Sequence, residues 1–112
     1  MKPIEIANLM LEKKATNIKI FDVKKITTMT DYFVICTSDS DPQTKAITSN
    51  IERKMKKKGI KPISIEGQNK FEWVLMDYIT LIVHIFTDEK RNFYDLDRLW
   101  ADAKITSIKD EK

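Results

Sequence analysis

The run Phe71–Phe86, FEWVLMDYITLIVHIF, constrains the fold more than any other part of the chain, because two apolar stretches flank the short centre Asp77-Tyr78-Ile79-Thr80. Side chains alternate along a strand, and two alternating stretches joined by so short a centre predict a β-hairpin. With Tyr78-Ile79 as the two-residue loop, Asp77 faces Thr80, Leu75 faces Ile82, Trp73 faces His84 and Phe71 faces Phe86. These eight side chains then share one face. Val74, Met76, Leu81, Val83 and Ile85 occupy the other, an aliphatic set that calls for a covering helix. The first face sets a Trp, a His, a Thr and an Asp among apolar residues, a mixture expected of a binding surface more than of an ordinary core.

A chain of 112 residues can build one core but not two. Its 42% hydrophobic and 33% charged content excludes a disordered polyelectrolyte and fits a folded cytoplasmic protein. The net charge of +3 is too small to imply, by itself, binding driven by nucleic-acid phosphates. No apolar run approaches the roughly 18 residues of a membrane span. The N-terminus turns charged within one short helix, so no signal peptide is expected. Cys36 is the single cysteine, which excludes an internal disulfide and a multi-cysteine metal site.

Before the hairpin, Pro3 followed by Ile6, Ala7, Met10 and Leu11 predicts an amphipathic helix. TNIKIFDVKK reads as a strand near a sheet edge, with Ile18 and Ile20 on one side and Lys19, Phe21 and Val23 on a partly wet side. Asp31–Thr37 is apolar on both faces and predicts a central strand. Ser38 to Pro42 then open a long helix carrying Ala46, Ile47, Ile51 and Met55, which ends in Arg53, Lys54, Lys56, Lys57 and Lys58 before Gly59. Those cations suit the negative end of the helix dipole, and a solvated helix end is the simpler reading beside an RNA-contacting patch. Lys61–Gly67 predicts a short strand, and after the hairpin Thr87 and Asp95 are placed to cap two short helices. The expected order is α-β-β-α-β-β-β-α: one α/β domain over residues 1–103, with a mixed sheet of about five strands and flanking helices, then a polar tail over 104–112. A crossover through the long helix predicts that the second and third strands are a parallel pair.

Chemistry finds little support. A strand, Thr37-Ser38 and a helix could form the phosphate-binding turn of a nucleotidyltransferase-like enzyme holding nucleotide and metal. That alternative lacks a glycine in the turn and a carboxylate pair on a neighbouring strand. Asp39 and Asp41 lie where capping is the simpler role. His84 is the only histidine and, opposite Trp73, suits packing and hydrogen bonding better than general-base catalysis. Cys36 reads as a small buried hydrophobe. Tyr94 and Trp100 serve equally well as closure of the core edge or as interface anchors.

Five ordered blocks carry a family resemblance: Ile20-Phe21-Asp22-Val23; Thr30–Thr37 (TDYFVICT); Glu66-Gly67 with Glu72–Tyr78 (EWVLMDY); Val83-His84-Ile85-Phe86; and Phe93-Tyr94-Asp95-Leu96 with Leu99-Trp100. In these the chain resembles the ribosomal silencing factor, or Iojap-like, family. The resemblance implies a fold similar to the nucleotidyltransferase core without its catalytic site, and a protein that is not an enzyme and needs no cofactor or metal. It implies a cytoplasmic factor that docks on the fourteenth protein of the large ribosomal subunit, blocks joining of the small subunit, and represses translation when nutrients are scarce. A homodimer is expected when the protein is free, with no membrane and no sequence-specific nucleic acid among its partners. Carried over block by block, the partner-binding candidates are Trp73, Leu75, Asp77 and Tyr78, His84 of the return strand, and Tyr94, Leu96 and Trp100. The chain departs from the family's pattern at Ile79, where glycine is common.

Overall fold

The computed structural model describes residues 1–109. Along the chain these form α1 (Pro3–Glu12), β1 (Thr16–Asp22), β2 (Tyr32–Ser38), α2 (Asp41–Lys57), β3 (Ser64–Glu66), β4 (Trp73–Asp77), β5 (Leu81–Thr87), α3 (Asp88–Tyr94), α4 (Leu96–Leu99) and β6 (Lys104–Ile108). One six-stranded mixed sheet has the order β3-β4-β5-β2-β1-β6. The near-edge place of β1 and the interior place of β2 match the expectations from their lysines and apolar faces. No helix among the described residues is long and apolar enough to cross a membrane.

Two features of the topology differ from the sequence reading. The crossover through α2 does return the chain in the direction of β2, but it delivers β3 to the far edge, where β3 pairs only with β4, antiparallel. The parallel neighbour of β2 is β5, with Val34 opposite Val83 and Ile35 opposite His84. Local patterning carries no information on which strands become neighbours. Lys104–Ile108, expected to begin a polar tail, instead form β6 against β1, with Phe21 opposite Ile105 and Ile18 opposite Ile108. An outermost strand leaves most of its side chains in water, so it needs no apolar alternation to be stable. Residues 110–112 of the expected tail lie outside the described residues.

The hairpin is present with its register two residues away from the expected one. Trp73 faces Phe86, Leu75 faces His84 and Asp77 faces Ile82, and the loop is Ile79-Thr80. The Tyr78 N–H donates to the Leu81 carbonyl at 2.9 Å, closing the loop. Within it the Thr80 N–H reaches back to the Tyr78 carbonyl at 2.9 Å, a γ-turn about Ile79, whose φ is 75°. Asp77 Oδ1 accepts from the Ile79 N–H at 2.8 Å, and the Thr30 hydroxyl donates to the Ile79 carbonyl at 3.0 Å. These bonds select the loop, and alternation alone could not. A shift of two residues is even, so the residues of β4 and β5 keep the faces that the alternation assigned to them. Phe71, expected opposite Phe86, instead lies outside β4 at φ 56° and packs on the helix-covered core.

The aliphatic face carries the larger core. Val34, Cys36, Val74, Met76, Leu81, Val83 and Ile85 are buried under Ile6, Ala7 and Met10 of α1 and Ile47, Ile51 and Met55 of α2. Tyr78 joins this face. The Ser40 hydroxyl, within the Ser38 to Pro42 stretch expected to open the helix, caps α2 by accepting from the Gln43 N–H, in place of the expected Asp39 and Asp41; neither Thr87 nor Asp95 makes a side-chain cap bond to α3 or α4. The second face is also a core: Phe21, Val23, Phe33, Ile35, Ile82 and Phe86 are buried there against Leu96, Trp100 and Ala103. The partly wet side expected for β1 is therefore dry at Phe21 and Val23, because the segment after β5 folds back across it.

Candidate docking surface

The second face is where the sequence candidates gather, and its centre is closed. His84 on β5 is only 5% exposed. Its ring makes edge contact with Phe33 at 5.4 Å between centroids and stacks on Phe86 at 5.9 Å. The Trp73 indole N–H donates to His84 Nδ1 at 3.1 Å. That bond needs a neutral imidazole, and burial, with the Arg91 charge adding to it, pushes the His84 pKa down to about 4. A buried acceptor of this kind orients its neighbour and has no surface of its own to present. Tyr78 is likewise withdrawn, 6% exposed on the helix-covered face, with its hydroxyl unpartnered and its pKa raised by burial to about 12.

Around this closed centre the other candidates form a rim. Trp73, half-buried on β4, stacks on Phe86 at 4.9 Å and meets Tyr94 of α3 at 4.5 Å. Leu75 and Asp77, also half-buried, follow it along the strand. Trp100 lies against Phe33 at 5.0 Å, and Leu96 packs on the same cluster. Ile82 and Phe86, which the sequence places on a mixed binding face, are buried instead, since the terminal segment covers them.

The outward side of that segment is apolar. Phe93 is 76% exposed, Leu99 70% and Tyr94 45%, and Phe93 meets Tyr94 edge-on at 5.1 Å. Phe93 and Leu99 were not among the candidate residues. The signal was available in the sequence: consecutive aromatics on a one- or two-turn helix cannot both turn to the core.

An ion-pair network, also without a sequence motif, holds the segment down. Arg91, buried on α3, donates Nε and Nη2 to the two carboxylate oxygens of Asp97, both at 2.9 Å. Its Nη1 donates to the Asn17 carbonyl at 2.7 Å and to the Thr37 hydroxyl at 3.0 Å. Lys19 of β1 adds a 3.2 Å bond to Asp97. The Arg91 hydrogen bonds hold the Asp97 carboxyl below the usual range, with Lys19 contributing, so the network stays charged. Arg91 and Asp97 lie six positions apart, but their charges meet only because the chain turns at Asp95, whose φ is 49°.

The turn after Thr37 is occupied by its own side chains. Ser38 and Thr44 hydroxyls bond each other, the Gln43 side chain accepts from the Asp39 N–H, and its amide donates to the carbonyls of Lys13 and Lys14 at 3.0 Å. The donors a phosphate would use are thus partly engaged within the fold. Among the described residues no group of three or more His, Cys, Asp or Glu side chains is placed to share a metal ion. Burial raises the Cys36 thiol to about 12, which leaves it protonated and inert.

The family described as "Ribosomal silencing factor during starvation" matches residues 2–112. The chain belongs to this family. It is 35% identical over 97 residues to the ribosomal silencing factor of Bacillus subtilis, an alignment covering 87% of this chain and 82% of that protein. The chloroplastic Iojap protein of Zea mays is 30% identical over 89% of this chain, which spans 43% of that longer relative. A crystal structure from Chromobacterium violaceum superimposes with a TM-score of 0.81 at 30% identity, covering 98% of this chain and 95% of that one. A second, from Bacillus halodurans, gives 0.78 at 29% identity, covering 93% and 92%.

Proposed function

We propose that this protein is a non-catalytic, cytoplasmic ribosomal silencing factor that docks on the fourteenth protein of the large subunit. It prevents the small subunit from joining and so represses translation under nutrient limitation. The observation that carries the reading is membership of the silencing factor family over nearly the whole chain. The function is obstruction, which requires a surface and no reaction. The chemistry of the molecule agrees: the turn after Thr37 is filled by Gln43, and the one imidazole is buried and neutral. The nucleotide-binding alternative therefore gains no support, and calorimetry with nucleoside triphosphate and magnesium is expected to show no binding.

In this reading the docking surface is the rim and outer side of the terminal segment. Trp73, Leu75 and Asp77 contribute from β4, Tyr94, Leu96 and Trp100 from the segment, and Phe93 and Leu99 are added on their exposure. Tyr78 and His84 act from beneath, positioning Trp73 and the hairpin. Phe93 and Leu99 are also the cleaner probes. Trp73→Ala would remove a stacked, hydrogen-bonded indole and unsettle the second core as well as any interface. Phe93→Ser with Leu99→Ser removes two exposed side chains and should leave thermal unfolding unchanged. Sedimented with purified large subunits from the protein's own source, the wild type is expected in the subunit fraction and the double variant at the top of the gradient. A wild-type protein that stays at the top with subunits in excess would remove the main support for the proposal.

A further inference from the structure

The charge of this molecule is concentrated at one end of α2. Within segment 52–61, Arg53, Lys54, Lys56, Lys57, Lys58 and Lys61 stand against the single carboxylate of Glu52. That segment carries +5, more than the +3 of the whole chain, so everything outside it is net negative. A helix C-terminus presents about half a negative charge, which one or two cations satisfy. The remainder needs another explanation.

Within the fold few of these cations are used. Lys58 pairs with Glu5 of α1, and Arg53 donates to Asn50 at 3.3 Å. Lys54, Lys56, Lys57 and Lys61 have no hydrogen-bonded or ion-paired partner among the described residues. They stand on both sides of the helix end. Lys56 and Lys61 line one shallow groove with Glu52 and Pro62, while Lys54, Lys57 and Lys58 line another with Glu5, Leu9 and Met55. Neither groove contains an aromatic ring, so neither can stack an unpaired base. A ridge of largely unpaired ammonium groups without a stacking platform suits the regularly spaced phosphates of a duplex, read without regard to sequence.

We infer that the C-terminal end of α2, with Lys61, is a second contact surface that binds the phosphate backbone of double-helical RNA. Its biological address, helical ribosomal RNA of the large subunit, rests on the function proposed above. The chemistry does not, and it can be tested without ribosomes.

A short fluorescein-labelled duplex RNA is titrated with the full chain at increasing salt and followed by anisotropy. Binding at low salt is expected to weaken linearly in log–log form as salt rises. Lys56→Glu with Lys57→Glu should weaken it about tenfold or more and flatten the salt slope by about 2. Lys25→Glu with Lys104→Glu, the same change of net charge on exposed residues elsewhere, should leave most of the binding intact. Equal losses in both double variants, or no duplex binding by the wild type, would overturn the inference; so would binding to phosphatidylglycerol vesicles but not to duplex RNA. The two proposals fail separately: duplex binding lost in the Lys56/Lys57 variant supports this surface even where large subunits are not bound.

Discussion

Two turn residues hold a positive φ with opposite consequences for their side chains. Ile79 holds φ at 75° with a β-branched side chain 61% exposed, so little packing offsets its strain. Ile79→Gly should raise stability by about 1 kcal/mol, read as a higher denaturant midpoint at unchanged slope. Gly67, at φ 91°, lies so close to the Trp73 carbonyl that an added Cβ would sit 1.9 Å from its oxygen. Gly67→Ala should cost about 2 kcal/mol or more, because the obstacle is backbone and cannot swing aside. His84 sets an acid limit. Its folded pKa, lowered from 6.5 to about 4 by burial, lies below the unfolded value, so the unfolded chain binds the extra proton. Its contribution is complete above about pH 6.5 and is lost as pH falls towards 4, by about 3 kcal/mol. His84→Phe should flatten the melting temperature over that window, and an unchanged slope would refute the assignment.

Among the elements, the α3–α4 segment is the one whose position depends on a single polar network. It closes the second core through Leu96, Trp100 and Ala103, yet it is anchored electrostatically by Arg91 and Asp97. Removing the carboxylate leaves a buried guanidinium with only neutral partners, the costly way to break such a pair. Asp97→Ala should therefore destabilise the fold by about 3 kcal/mol and expose Trp100 to quenchers before global unfolding. Asp97→Asn, which retains an acceptor, should lose less. Hydrogen exchange would show the difference first in β6, which follows the segment and lies at the sheet edge.

For the whole molecule, the apolar outer side of the segment is the surface we propose for self-association. Phe93, Tyr94 and Leu99 are exposed large apolar side chains on one short segment, the kind of surface that often marks an interaction site. Light scattering at micromolar concentration should give the mass of two chains, and the Phe93→Ser, Leu99→Ser variant the mass of one. A wild type with the mass of one chain would refute this.

Alternation and spacing alone determined the helices, the hairpin and its faces, the central place of β2 and the inertness of Cys36, because each is set by a short-range period or a residue's own polarity. The family was legible in blocks such as EWVLMDY and TDYFVICT, whose order survives without any knowledge of contacts. Only the tertiary structure decided the hairpin's register, since Asp77, Thr30 and the γ-turn at Ile79 select among loops that alternation treats alike. It also decided that β2 pairs with β5, that Lys104–Ile108 form an edge strand, and that Tyr78 and His84 are withdrawn while Phe93 and Leu99 are offered. The burial of His84 and the exposure of Phe93 and Leu99 depend on where the segment after β5 lies, and that segment is held by Arg91 reaching Asn17 and Thr37, residues more than fifty positions away. A pairing over that distance leaves no periodic trace in the sequence.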